Sequence, residues 1–305
     1  MSTQQPSLSI VINTKNAGET LKACLQSVAH LGAEIIVVDM HSSDDSIQIA
    51  TTYGAHTYFH NDLGYVEPAR NFALSKAKGE WILVLDADEE VSASLADQLP
   101  TLIKNRDVSA YAIPRKNIIF GAWIAHTGWW PDYQTRLFKN GSVSWYNGIH
   151  RQPDVKGELV QLAPTEKNAL LHHNYPSIES YLERLERYTS ISAGEDTAPV
   201  QPLSETQVIE AFSSEFFSRL FAKEGLKDGT HGVLLSLLQS MYQVVEQAKV
   251  WQAHDFVVSK TDVDITLEAL THVARDLHYW IAEYRVRESK GLIKLYWRVR
   301  RKLGV

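Results

Sequence analysis

The run Trp81-Ile-Leu-Val-Leu-Asp86 constrains this chain more than any other stretch. Five consecutive apolar residues between Gly79 and a cluster of acids read as a strand buried on both faces, which is the mark of a parallel sheet. Leu8 to Asn13 and Glu34 to Asp39 have the same form. Between these two runs Leu21, Leu25 and Val28 recur at helical spacing, with a stop at Gly32. His41 to Asp45 offers several N-caps for a helix over Ser46–Tyr53, and His56–His60 reads as a further strand. The segment from Glu67 to Ala77 begins as a helix with Pro68 in its first turn, where a missing N–H does no harm. Such alternation implies parallel strands joined by right-handed crossovers.

After Asp88 the pattern changes. Leu95, Leu99, Leu102 and Ile103 mark a helix expected to be interrupted or adjusted near Pro100, and Ala110–Lys116 reads as a strand. Gln134–Lys139, Asn140-Gly141 and Ser142–Trp145 form a hairpin signal, so an antiparallel portion should follow the parallel one. Residues 154–168 read as irregular, and Leu170–His173 as a last strand. From Ser177 onward Tyr181, Leu182, Leu185, Tyr188 and Ile191 follow helical spacing, and helical patterns return over Phe212–Ala222, Val233–Trp251 and Ile265–Arg287. The expected organisation is an α/β domain over 1–200 and a helical extension over 201–305 that buttresses it.

The chemistry should sit at the end of the Trp81 strand. Side chains of an extended chain alternate, so Asp86 and Asp88 are expected to project to one side, at the carboxyl edge where open α/β sheets bind ligands. Two converging carboxylates suit Mg²⁺ or Mn²⁺. An Asp-x-Asp alone is equally compatible with helix capping or a solvated acidic turn.

Composition excludes several classes. A net charge of -6 gives no reason to expect nucleic-acid binding, and a single cysteine, Cys24, rules out an internal disulfide framework or a multi-cysteine metal site. Met1 to Pro6 lacks the basic and apolar regions of a signal peptide, and no run reaches 18 apolar residues, so the cytoplasm is the expected location. Asp86 as the first position of a calcium loop would put Val91 where glycine is required. Gly-x-Ser-x-Gly, Walker A and His-Glu-x-x-His patterns are absent.

Taken together, Asn13-Thr14-Lys15-Asn16, Ile36-Val-Val-Asp39 with Ser42-Ser43-Asp44, Arg70-Asn71-Phe72-Ala73 and Trp81 to Glu89 resemble the family 2 glycosyltransferases. Gly128-Trp-Trp-Pro-Asp132-Tyr-Gln-Thr-Arg136-Leu-Phe138, His172-His-Asn-Tyr175 and Gly225-Leu-Lys-Asp228-Gly229 are similar to the branch containing lipopolysaccharide inner-core β-glucosyltransferases. The resemblance implies a GT-A type, Rossmann-like, mostly parallel sheet with helices on both faces, an antiparallel portion and a helical carboxy-terminal extension. It implies inverting transfer of a hexose from a nucleotide sugar, UDP-linked on resemblance alone, to a saccharide on a cell-envelope glycolipid. Asp39 would face the nucleobase, Thr14 and Asn16 would close over the nucleotide, Arg70 would lie near ribose or phosphates, Asp86 would approach the ribose, and Asp88 would bind the divalent cation, Mn²⁺ or Mg²⁺. Individually, Asp39 and Asn16 also read as capping and turn residues, and Arg70 as a solvated one.

The catalytic base departs from the branch pattern. Its His-Glu pair falls here on His150-Arg151, so Asp132, His150 and Asp154 are the candidates, and Arg151 could instead bind an acidic acceptor or the diphosphate. A nucleotide-sugar-binding protein without catalysis is therefore a rival reading. A nucleotidyltransferase is disfavoured by the lack of a glycine-rich basic triphosphate loop. Trp123, Trp129, Trp130, Tyr133, Trp145 and Tyr146, with Arg136 and Arg151, are the expected acceptor cleft, since aromatic faces pack on sugar rings.

Charge is uneven along the chain. Arg285–Lys302 carries eight basic residues and one acid, against 22 and 35 in residues 1–284. On a helical projection Leu292, Leu295, Tyr296, Val299 and Leu303 oppose Lys290, Lys294, Arg298 and Arg301. This suits a helix lying on an anionic membrane through 285–303; packing on the domain by the apolar stripe is the plainer alternative.

Overall fold

The computed structural model describes residues 7–62, 67–145, 152–195, 202–260 and 262–303. Two compact units emerge: Met1–Trp123 with Trp129–Pro176, and Ile124–Gly128 with Ser177–Val305. The division falls at 176/177, ahead of the 200/201 boundary drawn from the sequence, because the helix that follows Ser177 makes its polar ties to later helices. Gln239 Nε2 donates to the Tyr181 hydroxyl at 2.8 Å, and Ser192 donates to Glu246 at 2.6 Å.

The first unit begins with β1 (Leu8–Thr14), α1 (Gly18–Val28), β2 (Glu34–Asp39), α2 (Ser46–Thr52), β3 (His56–Phe59), α3 (Glu67–Leu74) and β4 (Trp81–Asp86). It continues through β5 (Glu89–Val91), α4 (Ala93–Leu102), β6 (Ala110–Ile119), β7 (Ala122–Trp123), β8 (Asp132–Lys139), β9 (Val143–Ser144), β10 (Asp154–Val155), β11 (Leu159–Gln161) and β12 (Leu170–Tyr175). The main sheet runs β3-β2-β1-β4-β8-β6-β12-β5, with β7 and β11 also on β6. Strands β1 to β4 are mutually parallel, whereas β8 is antiparallel to both β4 and β6. The α/β architecture with a parallel portion, an antiparallel portion and helices on both faces is therefore as expected.

Alternation along the buried strands makes the two layers. Ile10, Ile12, Leu83 and Leu85 pack with α1 and α4, whereas Val11, Ile82 and Val84 pack with Ala73 of α3 and with Phe138. Register then aligns the carboxyl edge: Asn13 lies opposite Asp86, and Thr14 opposite Asp39. A cavity of about 600 Å³ lined by Ser9, Glu34, Lys78 and Leu99 opens at the other edge, away from these carboxylates.

Three local expectations differ. Helix α4 runs through Pro100 to Leu102 without a break. The Asn140-Gly141 turn reverses the chain, but Asn140 donates to the carbonyls of Ala77 and Gly79, and β9 leaves to pair with β10 rather than with β8. Residues 154–168, expected to be irregular, contain β10 and β11, the latter parallel to β6.

The second unit holds α5 (Ile178–Glu195), α6 (Glu205–Phe217), α7 (Gly229–Ala253), α8 (Val263–Glu288) and α9 (Gly291–Leu303). A capping box at Ser204 and Gln207 starts α6. Phe217, Leu220 and Phe221 form its apolar centre, against Val273 and Trp280 of α8. Asp228 accepts from the backbone N–H groups of Ala125 and His126 and from the Thr127 hydroxyl, which explains why 124–128 groups with this unit. Helix α9 is packed in the opposite sense to an ordinary surface helix. Its Trp297 and Arg301 meet α8, where Arg301 pairs with Glu283 and Arg285 lies over the Trp297 ring. Leu292, Leu295, Tyr296, Val299 and Leu303 face outward at 50–84% exposure.

Gly79 sets how closely the chain entering β4 approaches β1. A Cβ there would sit 2.6 Å from the Ser9 backbone nitrogen. Gly79→Ala should lower unfolding stability by about 1–3 kcal/mol in urea titration, and an unchanged midpoint would show that β1 yields at this point.

Candidate functional site

The site grows from the end of β4. Strand geometry stops at Asp86, and Ala87-Asp88 forms a turn into β5. Extended alternation therefore ends at Asp86 and does not continue to Asp88.

Asp86 faces arginines. Arg70 Nη2 donates to its Oδ1 at 2.6 Å, Arg136 Nη2 donates to its Oδ2, and Arg115 Nη1 stands 3.8 Å away. Glu89, fully buried, accepts from Arg136 at 2.7 Å, from Arg115 at 3.3 Å and from the Asp86 backbone N–H at 3.0 Å. Burial pushes the Asp86 carboxyl up, but Arg136, Arg70 and Arg115 outweigh it and hold the group far below the usual carboxylate range. Burial likewise opposes the charge on Arg136, and Asp86 and Glu89 reverse that effect, raising its pKa. Cys24 lies beneath, its Sγ donating to the Asp86 carbonyl at 3.6 Å; burial and the surrounding acids push the thiol up and keep it unreactive.

A second network starts from Asn117, fully buried on β6. Its Nδ2 donates to the Trp129 carbonyl at 2.9 Å and to Asp132 Oδ2 at 3.2 Å, so its Oδ1 is the atom that faces His172 Nδ1 at 2.6 Å. An amide oxygen can only accept, so Nδ1 of His172 carries the proton. Nε2 is left directed at Asp88 Oδ1, 3.5 Å away. Nδ1 is thus committed to Asn117, and Nε2 is the ring atom turned toward a carboxylate. Register explains the meeting, because His172 of β12 lies opposite Asn117 of β6.

Asp132 at the start of β8 completes the network. It accepts from Arg115 at 2.5 and 2.8 Å and from Gln134 at 2.9 Å. Burial raises its pKa, but Arg115 and the donated hydrogen bonds of Gln134 and Asn117 prevail and lower it.

At the other side of the edge, the loops after β1 and β2 are bonded to each other. Asn16 N donates to Ser42 Oγ at 2.8 Å, and Ser43 N donates to Asn16 Oδ1 at 2.7 Å. Asn16 takes a φ of +48°, a conformation asparagine tolerates. Gly18 N donates to Asp44, and Ser42 donates its N–H and hydroxyl to the two Asp39 oxygens at 2.9 and 2.5 Å. Inside this loop pair the Asn13 amide and the Thr14 hydroxyl are buried without a protein hydrogen-bond partner among the described residues.

The profile of Glycosyl transferase family 2 matches residues 9–152, which span this donor edge and Asp132. This segment belongs to glycosyltransferase family 2. A Rickettsia felis protein described as an uncharacterized glycosyltransferase is 26% identical over 256 residues, covering 80% of this chain and 89% of the relative. The lipopolysaccharide core biosynthesis glycosyltransferase LpsC of Rhizobium meliloti is 23% identical, covering 87% and 98%. Among solved structures, the mannosyltransferase PcManGT of Pyrobaculum calidifontis, in complex with GDP-Man and Mn²⁺, aligns with a TM-score of 0.46 at 16% identity, over 98% of this chain and 88% of that one. S. aureus TarS 1-349 in complex with UDP aligns with a TM-score of 0.42 at 16% identity, over 79% and 90%.

Within this family 2 domain the residues singled out from sequence fall into three groups. Asp86, Arg70 and Arg136 meet, but in one charge cluster: Arg136, 2% exposed, supports Asp86 and Glu89 from below and is not a wall of an acceptor cleft. Asp88 and Asp132 are joined through His172 and Asn117, and Thr14, Asn16 and Asp39 line the loop pair. Trp129 and Trp130 are half-buried, packed edge-on to Tyr175 and Trp123 respectively. Trp145 is buried against Phe138 with Arg70 over its ring, so it belongs to the core. Asp154 is exposed on β10. His150, Arg151 and Tyr146 lie outside the described residues.

A divalent cation fits the observed donors. Asp88 and Nε2 of His172 would supply two ligands, leaving the rest of the shell of a Mg²⁺ or Mn²⁺ to phosphate oxygens and water. No cluster of three or more His, Cys, Asp or Glu side chains suited to a closed cage occurs among the described residues. Sequence reasoning missed Glu89, Arg115, Asn117 and His172 as functional residues; of these, Glu89 and His172 stood within motifs visible in the sequence.

Glu89→Gln should cost about 3–5 kcal/mol of stability, since it removes one of two carboxylates from a buried guanidinium. Glu90→Gln, whose partner is the half-exposed His173, should stay within roughly 1 kcal/mol. Parallel denaturant titrations check the pair, and equal effects would refute the cluster's role.

Proposed function

We propose that this chain is a metal-dependent, inverting hexosyltransferase that moves a sugar from a UDP-linked donor to a saccharide on a cell-envelope glycolipid such as lipopolysaccharide core. The observation that carries this reading is the Asn117 network, which joins a base, Asp132, to a cation-binding pair, Asp88 and His172. Asn13 and Thr14 would meet the nucleoside, because their buried polar atoms lack protein partners and would gain them from a base or ribose. Asn16 and Asp39 would shape that pocket through Ser42 and Ser43, and Asp86, fixed by Arg70, would approach the ribose.

Asp132 would take the proton of the acceptor hydroxyl as that oxygen bonds to the anomeric carbon from the face opposite the leaving group. The sugar–phosphate bond breaks with its electron pair on the departing diphosphate. A cation held by Asp88 and His172 supplies Lewis-acid stabilisation of that charge when bound. Trp129 and Trp130 would pack on acceptor rings. His150 and Arg151 stay in this proposal as an alternative base and an acceptor-binding cation.

The outward stripe of α9 supports a peripheral position on the inner face of the cytoplasmic membrane, with Lys294, Arg298 and Lys302 meeting anionic headgroups. No helix among the described residues is long and apolar enough to cross a membrane.

Incubation with UDP-sugars, Mn²⁺ and an acceptor extract should release UDP, and Asp88→Ala should abolish both release and Mn²⁺ binding in calorimetry. Donor binding without any release would favour a nucleotide-sugar-binding protein instead. Asp132→Asn should lower kcat by about 10²–10⁴. The base acts when deprotonated and its pKa is depressed, so the rate should stay level on acidification until below about pH 4. A decline through about pH 6.5 would assign the role to His150.

A further inference from the structure

Apolar exposure is distributed very unevenly. Of the large hydrophobic side chains exposed among the described residues, all but Phe59 and Leu159 lie in the second unit. The outward face of α9 accounts for one group, and a second runs along α8.

Val263, Leu267, Leu270, Ala274, Leu277 and Ile281 follow one another at steps of four, three, four, three and four. This is the 3.5-residue spacing of a coiled-coil seam. The four largest of the inner members, Leu267, Leu270, Leu277 and Ile281, are 38–55% exposed, Val263 is 64% exposed, and Ala274 is exposed as well. On one flank Val273 and Trp280 turn into the unit's own core. On the other, Asp264, Glu268 and Arg275 face solvent. The stripe is thus bordered by charge on one flank and by core-facing Val273 and Trp280 on the other, while the exposed Ile265 and Tyr279 lie on the far side of the helix; so narrow a seam suits a helix packing knobs into holes more than a bilayer, where a broad apolar face is needed.

Charge selects the occupant and its direction. From Asp262 to Asp276 the chain carries four acids and one base, which an anionic surface would repel, whereas at the far end Arg285 and Arg287 are balanced by Glu283 and Glu288 and the basic α9 follows. We infer that α8 pairs with α8 of a second copy of this chain, antiparallel, through this seam. A parallel pair would set the acidic ends against each other. An antiparallel one centred on Ala274 sets the Asp264 end of one helix beside Arg285 and the basic α9 of the other copy. Ala274, near the middle, allows the two helices to approach closely. The resulting interface is isologous and closed, as a two-fold dimer requires.

Sedimentation equilibrium on the full chain tests this directly. The wild type should have twice the 34.4 kDa of one chain, and Leu270→Glu with Leu277→Glu should weaken the dimer by at least about 100-fold. Both positions are exposed, so circular dichroism should be unchanged, and the melting curve should match that of wild type diluted until it is monomeric. Asp264→Lys should weaken the dimer by about tenfold, and adding Arg285→Glu should restore it. A wild type that is monomeric at tens of micromolar, or a dimer indifferent to the double leucine change, would overturn the inference. So would a monomer whose binding to phosphatidylglycerol vesicles is lost in that variant, which would assign the stripe to lipid. Failure of the charge reversal to restore pairing would overturn the antiparallel arrangement.

Discussion

The buried guanidinium of Arg136 is the constraint around which the donor edge is arranged. A permanent cation inside the sheet is tolerable only with its counter-charges and hydrogen bonds in place. Asp86 and Glu89 provide them, one from the last position of β4 and the other from the first position of β5. The turn between those positions must therefore be tight, and it carries Asp88 out to the edge. In this way a buried charge bears on where the proposed cation ligand sits. Arg70 and Arg115 extend the arrangement, coupling α3 and β6 to the same carboxylates and holding Asp132 through Arg115.

Much of this was legible from residues alone, for a definite reason. Strands buried on both faces leave continuous apolar runs, so β1, β2 and β4 announce themselves, and their shared carboxyl edge follows from crossover chirality. Alternation relates Asp86 to Asp88 only while the chain is extended, and the strand ends at Asp86. The Asn140-Gly141 reversal was visible as a local signal, whereas the partner of β8 is decided by β4 and β6, which offer long buried edges that two residues of β9 cannot match. Glu89 and His172 stood within motifs visible in the sequence, but their partners Arg115 and Asn117 were illegible for the same kind of reason. Each acquires its role from a strand pairing dozens of residues away, as in the juxtaposition of His172 with Asn117.

The carboxy-terminal helices present the opposite case. Their amphipathic pattern is plain in sequence, yet pattern alone does not say which way a helix turns. For α9 Trp297 and Arg301 turn inward, Arg301 on Glu283 and Trp297 under Arg285, and the apolar stripe is left outward together with Arg298 and Lys302. Charge on the inner side can be satisfied by the acids of α8, so the inverted packing costs little internally. The apolar surface then becomes a property of how the protein meets its surroundings.

The reciprocal bonds between the loops after β1 and β2 bear on how such a protein could be altered. Asn16, Ser42 and Asp44 each complete a backbone N–H of the other loop, and Asp39 holds Ser42 within its own. A graft that replaced one loop to change donor preference would strand those groups in its partner. Recombination between homologues would therefore succeed only with crossover points placed before β1 and after α2, so that the two loops are inherited as one cassette.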